Sequence, residues 1–126
     1  MKRSWMGFAL LVVLLLGSVL VTRQMDRIHR PIEGQLQQAA GKALEGNWEE
    51  ARDLFLDAEK SWKTWEHFRS CFADHNPVEE IDGDFQMLQV MGLGGDRLAF
   101  AGGCRELARK VAAVGEAHEL VWWNLL

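Results

Sequence analysis

The residues best suited to chemistry are His67, Cys71 and His75, spaced i, i+4, i+8, with Asp74 beside them. On a helix that spacing would put two imidazoles and a thiol on one face, a donor set suited to zinc or copper. A small metal- or ligand-sensing domain is therefore one reading of the chain. Against it, His75 falls where the helix is expected to end, and no fourth ligand stands at a convincing spacing. A polar helix edge accounts for the same residues, so no metal ligand is assigned. A second candidate is His75 with Asp82, a carboxylate about one turn into the next helix, expected to clamp the two helices through an imidazole–carboxylate hydrogen bond.

Six tryptophans invite a third reading. Trp62, Trp65 and the pair Trp122-Trp123 could line an aromatic pocket, although aromatics at helical spacing usually form core. Catalytic patterns are missing: there is no G-x-S-x-G, phosphate loop or H-E-x-x-H, and no cysteine has both a base and an orienting group. No catalytic or cofactor-binding residue is assigned, and no enzyme activity or cofactor is expected. Cys71 and Cys104 should remain unpaired, because their helices run parallel in an up-down arrangement and hold them at opposite ends.

These candidates must be positioned by a chain of 126 residues, enough for one domain. Residues 1–30 carry five Lys/Arg and one acid, a net +4, whereas 31–126 carry nine and seventeen, a net −8, giving the whole −4. So acidic a domain is repelled by nucleic acid, which is bound mainly through Lys/Arg on phosphates.

From Ser4 to Thr22 the chain has no charge and no proline. As a helix these residues span roughly 28 Å, close to the ~30 Å hydrocarbon core of a bilayer. Six Leu, four Val and one Phe lie between Trp5 and Val21. They supply roughly −3 to −7 kcal/mol towards insertion. Residues 4–22 thus read as a transmembrane helix, 23–30 as a basic juxtamembrane segment and 31–126 as a helical domain. Lys2 and Arg3 ahead of an apolar run also describe a signal peptide. This run is longer than usual for one, however, and Gly17-Ser18-Val19-Leu20-Val21-Thr22 offers no small-x-small cleavage site. A retained single-pass anchor is expected. The basic residues flank the span almost evenly, and a short basic tail normally stays inside, which favours a domain outside the cytoplasm.

Beyond the span, Pro31 marks a kink or restart. Ile32, Leu36, Ala39, Ala40, Ala43 and Leu44 then share one face of a helix ending near Gly46. Asn47 and Glu50 approximate a capping box. Trp48, Ala51, Phe55, Ala58, Trp62, Trp65 and Phe72 follow at spacings of 3, 4, 3, 4, 3 and 7, predicting one helix over 48–73. Asp74 to Pro77 reads as a turn. Val78, Ile81, Phe85, Leu88 and Met91 form the next seam, broken by Gly92, Gly94 and Gly95 before an Asp96 cap. Phe100, Cys104, Leu107, Val111, Val114 and His118 form the last, although Gly102 and Gly103 weaken its first turns. The apolar tail from Val121 to Leu126 is expected to pack on the bundle or lie at the membrane surface. No strand pattern occurs. The fold class is all-α: an N-terminal transmembrane helix followed by a small antiparallel bundle of three to four helices.

Gly46-Asn47-Trp48, Ala51, Phe55 and Ala58 look like the second half of a tetratricopeptide repeat, but no copy recurs thirty-four residues away. They mark a tight helical hairpin. The chain more closely resembles a family of short single-pass proteins from Gram-positive, mainly spore-forming bacteria, the domain of unknown function number 4363. The residues concerned are the N-terminal apolar segment, Gly46-Asn47-Trp48-Glu49-Glu50-Ala51, Trp62, Asp74-His75, Ile81-Asp82 and the closing Leu120 to Leu125. The chain departs from that pattern in the extra residues between His75 and Ile81 and in the glycines of 92–103. The resemblance implies the architecture and brings no activity or ligand. The expected function is a non-catalytic, membrane-anchored interaction or structural module. Its partners would be the lipid bilayer and another membrane or envelope protein or itself.

Overall fold

The computed structural model describes residues 2–67 and 75–124, with side chains at 2–67 and 77–116. The described residues form four helices and no strand: α1 (Lys2–Leu44), α2 (Trp48–Thr64), α3 (His75–Gly94) and α4 (Arg97–Asn124). The fold is all-α, as the periodicity requires. α1 packs against α2 and α4, and α3 packs against α4.

The 43 residues of α1 make one helix about 64 Å long, with Pro31 inside it. Of the kink or restart expected at Pro31, the restart does not occur. Proline in a helix interior removes one hydrogen bond and costs about 3 kcal/mol or more. Here Met25, Ile28, His29, Ile32, Leu36, Ala39, Ala40 and Ala43 form a single buried stripe that crosses the proline, while Pro31 faces outward. Packing on both sides of the imperfection holds the helix together, because tertiary burial outweighs local propensity. Met25, Ile28 and His29 thereby enter the bundle from within the basic 23–30 stretch.

α1 ends in a Schellman motif. Gly46 takes φ +87°, its N–H donates to Ala43 O, and the Asn47 N–H donates to Lys42 O at 2.9 Å. Asn47 then caps α2: its Oδ1 accepts the Glu50 N–H, and its Nδ2 donates to Glu50 Oε2 at 2.8 Å. Three residues therefore reverse the chain, as the hairpin signature indicated. α2 is shorter than the predicted 48–73. It stops at Thr64, whose Oγ1 donates back to Lys60 O at 2.7 Å, a local bond that competes with helix continuation. Trp65 serves as the C-cap and is 38% exposed, so it leaves the seam, and Phe72 lies outside the described residues.

α3 begins at His75, which places Pro77 in its first turn, where proline is tolerated. The expected turn over 74–77 is in this respect already helical. Ile81, Phe85 and Leu88 are buried, with Val78 and Met91 packed at the margin. The helix stops at Gly94, Gly95 takes φ +77°, and Asp96 Oδ1 accepts the Ala99 N–H at 3.1 Å. Phe100, Cys104, Leu107, Val111 and Val114 line the inner face of α4, as predicted, and the side chain of His118 lies outside the described residues.

The core is aromatic. Phe55 meets Phe85 and Phe100 at 5.7 and 5.6 Å between ring centroids, Trp62 meets Phe85 at 6.2 Å, and Trp48 meets Phe100 at 5.3 Å. Each pair adds about 0.5–1.5 kcal/mol beyond its area burial. Gly103 has a packing role: an added Cβ would overlap Leu88 Cδ2, so this glycine lets α3 and α4 approach closely.

Candidate functional site

Two polar contacts flank the buried face of α3, one to α2 and one to α4. Asp82 Oδ1 accepts a 2.6 Å hydrogen bond from Trp62 Nε1, joining α2 to α3. This contact falls at the residue chosen from sequence for the helix clamp, but the donor is an indole twenty positions earlier. The side chain of His75 lies outside the described residues, so the proposed partner is not described. On the other flank of α3, about 200° round the helix from Asp82, Lys110 Nζ reaches Asp84 Oδ2 at 2.7 Å and Glu80 Oε1 at 2.8 Å, joining α4 to α3. Those two bonds, Asp84 foremost, hold the Lys110 ammonium above the usual lysine range.

The metal-ligand reading has one member in view. His67 is exposed, whereas Cys71 and the side chain of His75 lie outside the described residues. Among the described residues no group of three or more His, Cys, Asp or Glu could hold a metal ion. Of the pocket tryptophans, Trp62 is 1% exposed and belongs to the core, while the side chains of Trp122 and Trp123 lie outside the described residues. Cys104 is free and fully buried, and burial pushes its thiol up to about 12. A thiol this desolvated is inert, since the thiolate is the nucleophile.

Two features were not foreseen. One is His29, buried in α1, whose Nδ1 donates to Met25 O at 2.7 Å and whose ring meets Trp62 edge-on at 6.0 Å. Its position between Ile28 and Ile32 was the available signal. The other is an apolar groove of about 430 Å³ lined by Trp48, Arg52, Phe55, Leu88, Gly92 and Phe100, with Val90 and Leu93 exposed at its rim. Arg52 supplies its one cation among the lining residues.

The first half of α1 differs in kind from the rest. Trp5, Phe8, Leu10, Leu14, Leu16 and Leu20 are exposed, and the most apolar eighteen-residue window has a mean hydropathy of 2.4 with none of it buried. Among the described residues this is the one helix long and apolar enough to cross a membrane, and a signal sequence has the same properties. Exposed apolar surface of this extent belongs in lipid or against another protein.

No curated protein and no solved structure matches the chain. A family model does match, over residues 19–124, beginning near the end of the apolar stretch and covering the whole bundle. The chain belongs to the family described as Domain of unknown function (DUF4363).

Proposed function

We propose that the protein is a single-pass, membrane-anchored helical module without catalytic activity, in the envelope of a Gram-positive, spore-forming type of bacterium. Its bundle stands outside the cytoplasm and binds a neighbouring membrane or envelope protein, or a second copy of itself. The observation that carries this reading is the continuity of α1. The exposed apolar half runs without a break into the half that builds the core, so the anchor and the bundle are one rigid element. Such a stalk holds the bundle at a fixed height and angle above the bilayer, which suits a positioning or docking role.

Two experiments test it. A phosphatase fused after Leu126 should be active and a cytoplasm-only reporter inactive; the reverse pattern puts the bundle inside. A photo-crosslinking residue at Val90 or Leu93 should trap one defined membrane neighbour or a homodimer in living cells. If only lipid or nothing is trapped, the docking role fails. A second reading, a small-ligand sensor, is favoured by the apolar groove beside Arg52. A bound molecule of stoichiometric amount in the purified full-length protein would promote that reading over the first.

A further inference from the structure

We infer that the C-terminal end of α4 is a second membrane attachment, in which the helix turn that carries Trp122 and Trp123 lies at the interfacial level of the bilayer that α1 crosses. This rests on the reading of α1 as a span. Two contacts place α4 along α1, and the close approach of Gly115 to His29 sets the register. At one end Arg97 Nη1 lies 3.0 Å from where a Cβ on Gly46 would stand, and at the other a Cβ on Gly115 would lie 3.7 Å from His29 Cβ. The Arg97 contact runs from a side-chain tip to the turn that follows α1, and it brings the start of α4 beside the end of α1, so the two helices run antiparallel. A cleft shared by Asp26, His29, Arg30 and Glu33 with Ala112, Gly115 and Glu116 repeats the register at the lower end.

The backbone of α4 is helical to Asn124. Seven residues past Gly115 is Trp122, and seven before His29 is Thr22, so the register carries Trp122 to the level of Thr22 and Trp123 to that of Val21. These are the last two residues of α1 before Arg23, where the uncharged stretch ends. The tryptophan pair thus arrives where hydrocarbon gives way to headgroups, the layer in which tryptophan is enriched because its ring is apolar and its N–H is polar. At the other end of the span Trp5, 76% exposed, stands at the corresponding level. Arg23 and Arg27, exposed on the next turns of α1, suit the phosphates bordering that level. With both the first and last helices of the bundle fixed to the interface, rotation of the bundle about the anchor is blocked.

The test uses the full-length chain in phospholipid vesicles, on a Trp5→Phe background that removes the span's own indole. Emission excited at the red edge of tryptophan absorption is compared in plain vesicles and in vesicles whose acyl chains are brominated near the headgroup. The second protein adds Trp122→Phe and Trp123→Phe, which keep apolar rings in place and remove the fluorescence. Bromolipid quenching should fall by about half or more when the pair is removed, because the remaining indoles lie in the bundle. Equal quenching in the two proteins, both floating with the vesicles, overturns the second attachment and leaves the span intact. Failure of the Trp5→Phe protein to float with the vesicles overturns the span and this inference together.

Discussion

Gly102 and Gly103 are neighbours in α4, yet alanine should act on them in opposite directions. A Cβ at Gly102 meets nothing within 4 Å, whereas at Gly103 it overlaps Leu88 Cδ2, a side chain only 2% exposed. In a helix interior alanine gains about 0.5–1 kcal/mol over glycine, so Gly102→Ala should stabilise the bundle by about that amount. Gly103→Ala has the same gain set against overpacking, which costs typically 1–3 kcal/mol. The two variants should therefore differ by about 1–3 kcal/mol, with Gly103→Ala the less stable. Thermal unfolding of the full chain in detergent micelles, followed by helical circular dichroism, reads this as a Tm gap of about 4–8 °C per kcal/mol. Leu88→Ala provides the control. It opens a cavity and costs about 2–5 kcal/mol alone. In the double variant the Gly103→Ala penalty should vanish, leaving a favourable coupling of about 1–3 kcal/mol. Equal shifts for the two glycine variants, or additive behaviour with Leu88→Ala, would refute the close approach of α3 and α4.

Four further outcomes follow from the polar contacts and the core. A double-mutant cycle on Trp62→Phe and Asp82→Ala should show coupling of about 1–3 kcal/mol, from the value of an ordinary hydrogen bond up to that of one to a charged group. Coupling near zero there, with substantial coupling between His75→Ala and Asp82→Ala, would make the imidazole and not the indole the partner that matters. Lys110→Ala should cost about 1 kcal/mol, most of it shared with Asp84, whose side chain is 21% exposed against 64% for Glu80. A cycle giving the larger coupling to Glu80 contradicts that ranking. Cys104 should resist iodoacetamide at pH 8 until the bundle unfolds, since its thiol is pushed up to about 12. Because the folded state keeps that proton and the unfolded chain loses it from about 9, stability should fall from pH 9 upwards, at no more than ~1.4 kcal/mol per pH unit. Cys104→Ala should flatten the decline; an unchanged slope would show that Cys104 has no part in it.

The bundle was legible where local pattern and tertiary burial agree. Ile81, Phe85 and Leu88, or Phe100, Cys104, Leu107, Val111 and Val114, repeat at intervals of three and four because each faces one core. The Gly46-Asn47 reversal was legible because a positive-φ glycine followed by an Asx cap has few other uses. Pro31 misled because the stripe that spans it is tertiary, and local rules count only the lost hydrogen bond. Trp65 and Thr64 misled in the opposite sense, since the heptad spacing continues past the point where a threonine back-bond ends the helix. Sequence placed Asp82 at a helix junction but gave no sign of Trp62 as a donor, because that contact depends on how α2 rotates Trp62 towards α3. The groove beside Arg52 left no trace in spacing, since Trp48, Leu88 and Phe100 come from three helices.

α1 is proposed as both the membrane anchor and a wall of the bundle. Cell membranes washed in alkaline carbonate, followed by intact-mass measurement of the protein in the pellet, test it in one step. The account predicts a pelleted chain that still carries residues 2–22. A chain released to the supernatant, or a mature N-terminus between residues 20 and 30, would contradict it.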